Sequence, residues 1–186
     1  MSTGTLLAII IPVAVVIVLI AVAIAVNRRR RRRLQERFGA EYDRTVDEAG
    51  SRRAAEHDLA AREERHDSLD IRPLDPDQRQ RYASEWRAVQ ERFVDRPESS
   101  VHDADRLVTS LMHERGYPTD DFEQRARDLS VEHGRTLEHY RAAHEVERIS
   151  SDHQATTEQL RGAMIHYRVL FEELLTDGSP SGSGRA

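Results

Sequence analysis

The chain has 186 residues, with 28 basic and 33 acidic side chains for a net charge of −5, and it contains no cysteine. The missing thiols exclude disulfides, thiol catalysis and cysteine-ligated zinc. All 28 basic residues are arginine, so Schiff-base chemistry and a P-loop lysine are excluded too.

Thr5 to Val26 are 22 consecutive uncharged, almost wholly apolar positions. As a helix rising ~1.5 Å per residue the run extends about 33 Å, enough to cross a hydrocarbon core of roughly 30 Å. Pro12 lies inside it, which a membrane helix tolerates when the freed carbonyl finds another partner. Arg28, Arg29, Arg30, Arg31, Arg32 and Arg33 follow at once, whereas the flank Met1-Ser2-Thr3-Gly4 has no basic side chain. Cationic residues beside a span stay in the cytoplasm. The expected topology is therefore a single pass through the cell (inner) membrane, N-terminus outside and C-terminal domain cytoplasmic. A cleaved signal peptide is the rival, because Ala21-Val22-Ala23 and Ala23-Ile24-Ala25 resemble cleavage sites. Against it stand the uncharged N-terminal flank, a run longer than the usual ~7–15 apolar residues, and arginines that export would carry outward. The arginine run also suits anionic lipid headgroups, although orientation alone accounts for it.

Removing those six arginines leaves 22 basic against 33 acidic residues, a net charge of −11 over residues 34–186. Nucleic-acid binding rests on many phosphate contacts from a basic face, so no nucleic-acid partner is expected.

Leu34, Phe38, Tyr42, Val46 and Ala49 recur at helical spacing, interrupted by Gly39 and ended by Gly50. Ser51 to Ser68 mix alanine and one leucine with dense charge, as in a solvated stalk or a coiled-coil strand awaiting a partner. Asp75-Pro76-Asp77-Gln78 predicts a capped helix start. Tyr82, Trp86, Val89 and Phe93 then form the largest aromatic stripe, limited by Pro97. Val101, Ala104, Val108 and Leu111 make the next apolar face, closed by Gly116-Tyr117-Pro118. Thr119 and Asp120 open an element carrying Phe122, Ala126 and Leu129, which Gly134 separates from a helix bearing Leu137, Tyr140 and His144. After Ser150-Ser151-Asp152, Thr156 to Gln159 offer a capping box for a last helix with Leu160, Ala163, Met164, Tyr167, Phe171 and Leu174 on one side. Asp177-Gly178 ends it. No run has the alternation of a strand.

The reading is all-α, with about six helices after the membrane span. It places an extracytoplasmic N-terminus at 1–4, a transmembrane helix at 5–26 and a polyarginine segment at 27–33. A charged helical stalk at 34–70, a small helical bundle at 71–175 and a flexible tail at 176–186 complete it.

Nine histidines raise the question of a metal. Two ligands from one helix need a separation near three or four residues, yet His139 and His144 are five apart and His133 and His139 six. No metal site, cofactor or catalytic residue is expected. Glu172-Glu173 reads as a solvated face, and Asp120-Asp121 as helix N-terminal charge. Trp86, Phe93, Tyr140 and Tyr167 are the candidate core or pocket residues, with packing the favoured role.

The segments Arg87 to Asp95, Ala104 to Val108, Gly116-Tyr117-Pro118, Asp121 to Ala126, Tyr140 to His144 and His166 to Leu175 together resemble an uncharacterised family of actinobacterial-type, single-pass membrane-anchored helical proteins. The resemblance covers most of residues 34–175. It implies a bounded domain and carries no activity, ligand or catalytic residue.

The expected function is non-enzymatic, namely protein interaction or self-association at the cytosolic membrane face. The alternative is a membrane-tethered enzyme or small-ligand sensor with a pocket between helices near Trp86 and Tyr167.

Overall fold

A computed structural model describes the backbone of residues 3–151 and 154–176, and side chains from residue 16 onward. Among the described residues there are eight α-helices and no strand, so the protein is all-α. The chain divides into two compact units, Met1–Ala60 and Ala61–Ala186.

The first unit begins with α1, Thr3–Phe38, which runs unbroken through the apolar run and the arginines. Residues 5–15 of that run lie outside those whose side chains are described. Among the described residues, no helix is long and apolar enough to cross a membrane. Gly39, at φ 54°, and Gly50, at φ 64°, bound α2, Ala40–Ala49. Both take the left-handed half of φ space, which glycine enters without a Cβ penalty. They divide the expected stalk, so α3, Arg52–Asp67, starts as a separate helix.

The apolar stripe expected from the spacing does not continue through Gly39. Leu34, Phe38 and Tyr42 are buried, but Glu41 and Thr45 are buried on α2 where Val46 is half-buried and Ala49 exposed. The break at Gly39 resets the helical phase, so one periodicity cannot run through it. Thr45 donates its hydroxyl to the Glu41 carbonyl at 2.8 Å, which satisfies the polar group inside. Nor is α3 solvated all round. Ala55 and Leu59 are fully buried, four residues apart on one face.

The second unit contains the end of α3, then α4, Pro76–Arg92; α5, Pro97–Glu114; α6, Phe122–Leu129; α7, Leu137–Ser151; and α8, Thr157–Thr176. Its helix ends follow from local chemistry. Asp75 accepts from the Gln78 backbone N–H at 2.7 Å while the Gln78 side chain accepts from the Asp75 N–H at 3.0 Å, with Pro76 in the first turn. At α8 the same reciprocal box joins Thr156 and Gln159. Asp121, rather than Asp120, caps α6 by accepting from Gln124 N–H at 2.8 Å.

The C-terminus of α5 shows why Gly116 is needed. Gly116 N–H donates to His113 and Tyr117 N–H to Met112, a Schellman closure with Gly116 at φ 96°. A Cβ at Gly116 would also lie 2.2 Å from the Asp70 carbonyl oxygen. The turn therefore ends α5 and brings the segment after α3 against it, with Arg72 N–H donating to the Arg115 carbonyl at 2.9 Å.

α8 packs against α4, α5 and α7, and its stripe of Leu160, Ala163, Met164, Tyr167, Phe171 and Leu174 is buried. Trp86 stacks on Phe171 with ring centroids 4.7 Å apart, a pairing worth ~0.5–1.5 kcal/mol beyond the area it buries. The last carbonyls of α8 are not left unpaired. Arg115 donates to Leu174 O at 3.1 Å and Arg79 to Leu175 O at 3.1 Å, where cations also suit the helix dipole. The residues expected to end α8 and form the tail, from Asp177 on, lie outside the described residues.

Candidate functional site

Trp86, Tyr140 and Tyr167 are buried members of the core, and Phe93 is half-buried against it. The structure thus separates the four aromatic candidates. Three belong to packing or to a buried polar network, and Phe93 lines a surface groove.

The network joins α5, α6, α7 and α8. Tyr167 donates to Asp105 Oδ1 at 2.8 Å, and His144 Nδ1 lies 3.7 Å from the same oxygen. Phe122 stacks on the His144 ring at 3.8 Å between centroids, and Tyr140 meets Tyr167 edge-on at 6.4 Å. Arg125 donates to Thr109 Oγ1 at 2.6 Å. Burial, then the Asp105 charge, pushes the Tyr167 hydroxyl well above the usual phenol range. Burial likewise raises Tyr140. Burial alone would raise Asp105, but His144, Tyr167 and Arg125 outweigh it and hold the carboxyl below its ordinary value. Tyr140 OH and Arg125 Nε are buried without a hydrogen-bond partner. Each such group costs about 1–3 kcal/mol.

A second polar chain ties the end of α3 to α6 and to the loop between α6 and α7. Arg65 Nε donates to Asp128 at 3.1 Å, and His66 Nε2 stands 3.7 Å from Glu132 Oε2, an ion-pair separation rather than a hydrogen bond. Tyr117 OH donates to Glu132 at 3.3 Å and lies 3.3 Å from His133 Nε2, whose Nδ1 is 2.8 Å from Glu173. The His66 imidazole, helped by His133 and Tyr117, holds Glu132 down at about 2 against the burial that would raise it. Glu173, expected on a solvated face, is instead half-buried on His133, which lowers its carboxyl. The pairing was hidden in the sequence because residues 40 positions apart meet only after α7 and α8 pack.

Among the described residues, no three His, Asp or Glu side chains are placed to hold a metal ion. His139 and His166 do meet, Nδ1 to Nδ1 at 2.8 Å. One nitrogen must donate and the other accept, so the pair excludes a proton from one ring. Burial and then the neighbouring His139 accordingly lower His166. His153 lies outside the described residues.

A surface groove lies between α4 and α8. Phe93, Met164 and Ile165 line it with Gln90, between Arg161 and Arg168. Its volume is about 180 Å³. Ile165 is 50% exposed and Val94, next to Phe93, is 83% exposed. The two arginines pair with Glu158 and Glu172 on the surface of their own helix, contacts that contribute little in water.

Of the arginine run, Arg28, Arg30 and Arg31 line one cleft together with Arg52 and Arg53 of α3, and Arg29, Arg32 and Arg33 do not. This meeting depends on the two glycine breaks around α2, so the arginine run alone did not reveal it. No family model, curated protein or solved structure matches this chain.

Proposed function

We propose that this is a single-pass, inner-membrane protein holding a non-enzymatic helical module at the cytosolic face, where its α4/α8 groove docks an acidic amphipathic helix of a protein partner. The address rests on Thr5 to Val26 followed by Arg28 to Arg33, carried on the unbroken helix α1. The docking role rests on one observation: an apolar floor of Phe93, Met164 and Ile165 between two arginines. Helix-in-groove recognition uses apolar anchors of this kind, and the flanking cations select carboxylates on the incoming helix.

A photo-crosslinker at Arg168 or Gln90 in intact membranes should capture a discrete partner. Ile165→Glu should abolish capture while leaving the unfolding midpoint unchanged, since Ile165 is half exposed. Capture of a second copy would make self-association the occupant. Recovery of monomer alone, or capture indifferent to Ile165→Glu, would defeat the proposal.

The buried Tyr140 OH and Arg125 Nε, which have no hydrogen-bond partner, favour a second reading, a polar small-ligand site between helices. Large, saturable thermal stabilisation by one metabolite would support it, and loss of that shift in Tyr140→Phe would locate it.

A further inference from the structure

Ile24, Asn27, Arg28 and Arg31 recur along α1 at helical spacing, and Arg30 flanks them. Opposite them stand Arg52, Arg53, Glu56 and His57, the first turns of α3, and together these residues line a cleft of about 520 Å³ wholly within the first unit. The positive-φ turns at Gly39 and Gly50 reverse the chain and return α3 to the arginine run.

Arg28, Arg30, Arg52 and Arg53 are exposed and Arg31 is half-buried, and three further facts bear on what the cleft accepts. The first turn of α3 holds no acidic residue, so Arg52 and Arg53 sit at the helix end whose dipole already favours an anion. Glu56, the single carboxylate in the lining, accepts the Tyr42 hydroxyl at 2.9 Å. Arg31 Nε is buried with no hydrogen-bond partner. Burial and then Glu56 raise the Tyr42 hydroxyl overall, while Arg31 and Arg52, from two different helices, act to lower it. Five arginines from two helices line this one cleft, a surplus of positive charge that an anion would offset, and guanidinium forks match phosphate oxygens.

We propose that Arg28, Arg30, Arg31, Arg52, Arg53 and His57 form a binding site for the phosphate headgroup of an anionic phospholipid. The proposal rests on the membrane-anchored reading, under which Ile24 belongs to the apolar run and the arginines below it stand at headgroup depth. It differs from orientation by the arginine run because it assigns the affinity to α3 residues outside that run.

The test uses the full chain in nanodiscs and compares two variants that remove equal charge. Arg52→Gln/Arg53→Gln alters the cleft, while Arg29→Gln/Arg32→Gln alters arginines that do not line it. Native mass spectrometry reads retained phosphatidylglycerol against phosphatidylcholine, and circular dichroism melts check that each variant is folded. One anionic lipid should be retained per wild-type chain. The cleft variant should lose about tenfold or more of that preference, and the control no more than about threefold. Equal losses would reduce the effect to general electrostatics and overturn the site. A titration with pyrophosphate in detergent separates the sources. Arg52/Arg53-dependent binding of pyrophosphate without preference for anionic lipid would overturn the headgroup in favour of a soluble phosphate ester. Alkaline carbonate extraction of the same wild-type membranes tests the anchor by itself, so loss of the anchor and loss of the site give different results.

Discussion

Glu132 carries the clearest consequence of a single side chain. Its carboxyl is held at about 2 by His66 first, so the folded state keeps the charge to lower pH than the unfolded chain does. A depressed carboxylate stabilises fully above its unfolded value near 4.5, and the contribution is lost as pH falls through about 2. Denaturant midpoints measured from neutral pH downward should therefore fall more steeply across that window in the wild type than in Glu132→Gln. Equal slopes would show that the pair does not couple to folding. The His139–His166 contact has the same sign, since a depressed imidazole resists protonation in the folded state and loses stability as pH falls through its titration.

Among the elements, α5 depends most on one backbone position. Gly116→Ala places a Cβ 2.2 Å from the Asp70 carbonyl and asks an L-residue to hold φ 96°. The strain in φ alone is of order 1–3 kcal/mol, and the approach to Asp70 adds to it, so the unfolding midpoint should drop accordingly. A midpoint unchanged in Gly116→Ala would show that the turn opens at little cost. This element was legible in advance, because Gly116 before Pro118 is a stop signal that needs only local chain geometry. The boxes at Asp75 and Thr156 were legible for the same reason. Buried Glu41, Thr45 and His66 were not, since their burial depends on segments distant in sequence or on a phase reset at Gly39. The aromatic stripes of α4 and α8 foretold Trp86 and Tyr167 inside the bundle, but not the stacking on Phe171 or the bond to Asp105. The arginine cleft was half visible, as a run in α1, while its α3 wall required the folded turns.

For the whole molecule, the absence of cysteine provides a direct test of orientation. A single Thr176→Cys, at the exposed end of α8, should react with a membrane-impermeant maleimide only after the membrane is opened. A Thr3→Cys should react in intact cells. Labelling of Thr176→Cys from outside would invert the topology and remove the cytosolic partner class with it.

The central helix is also the last one made. α8 supplies the shared wall for α4, α5 and α7, yet it follows all three in the chain. Domains usually form from the N-terminal side as synthesis proceeds. Here the apolar faces of α4, α5 and α7 wait without their common partner until α8 has been made. The bundle therefore closes late, and until then the nascent chain is a substrate for chaperones that cover exposed apolar helices.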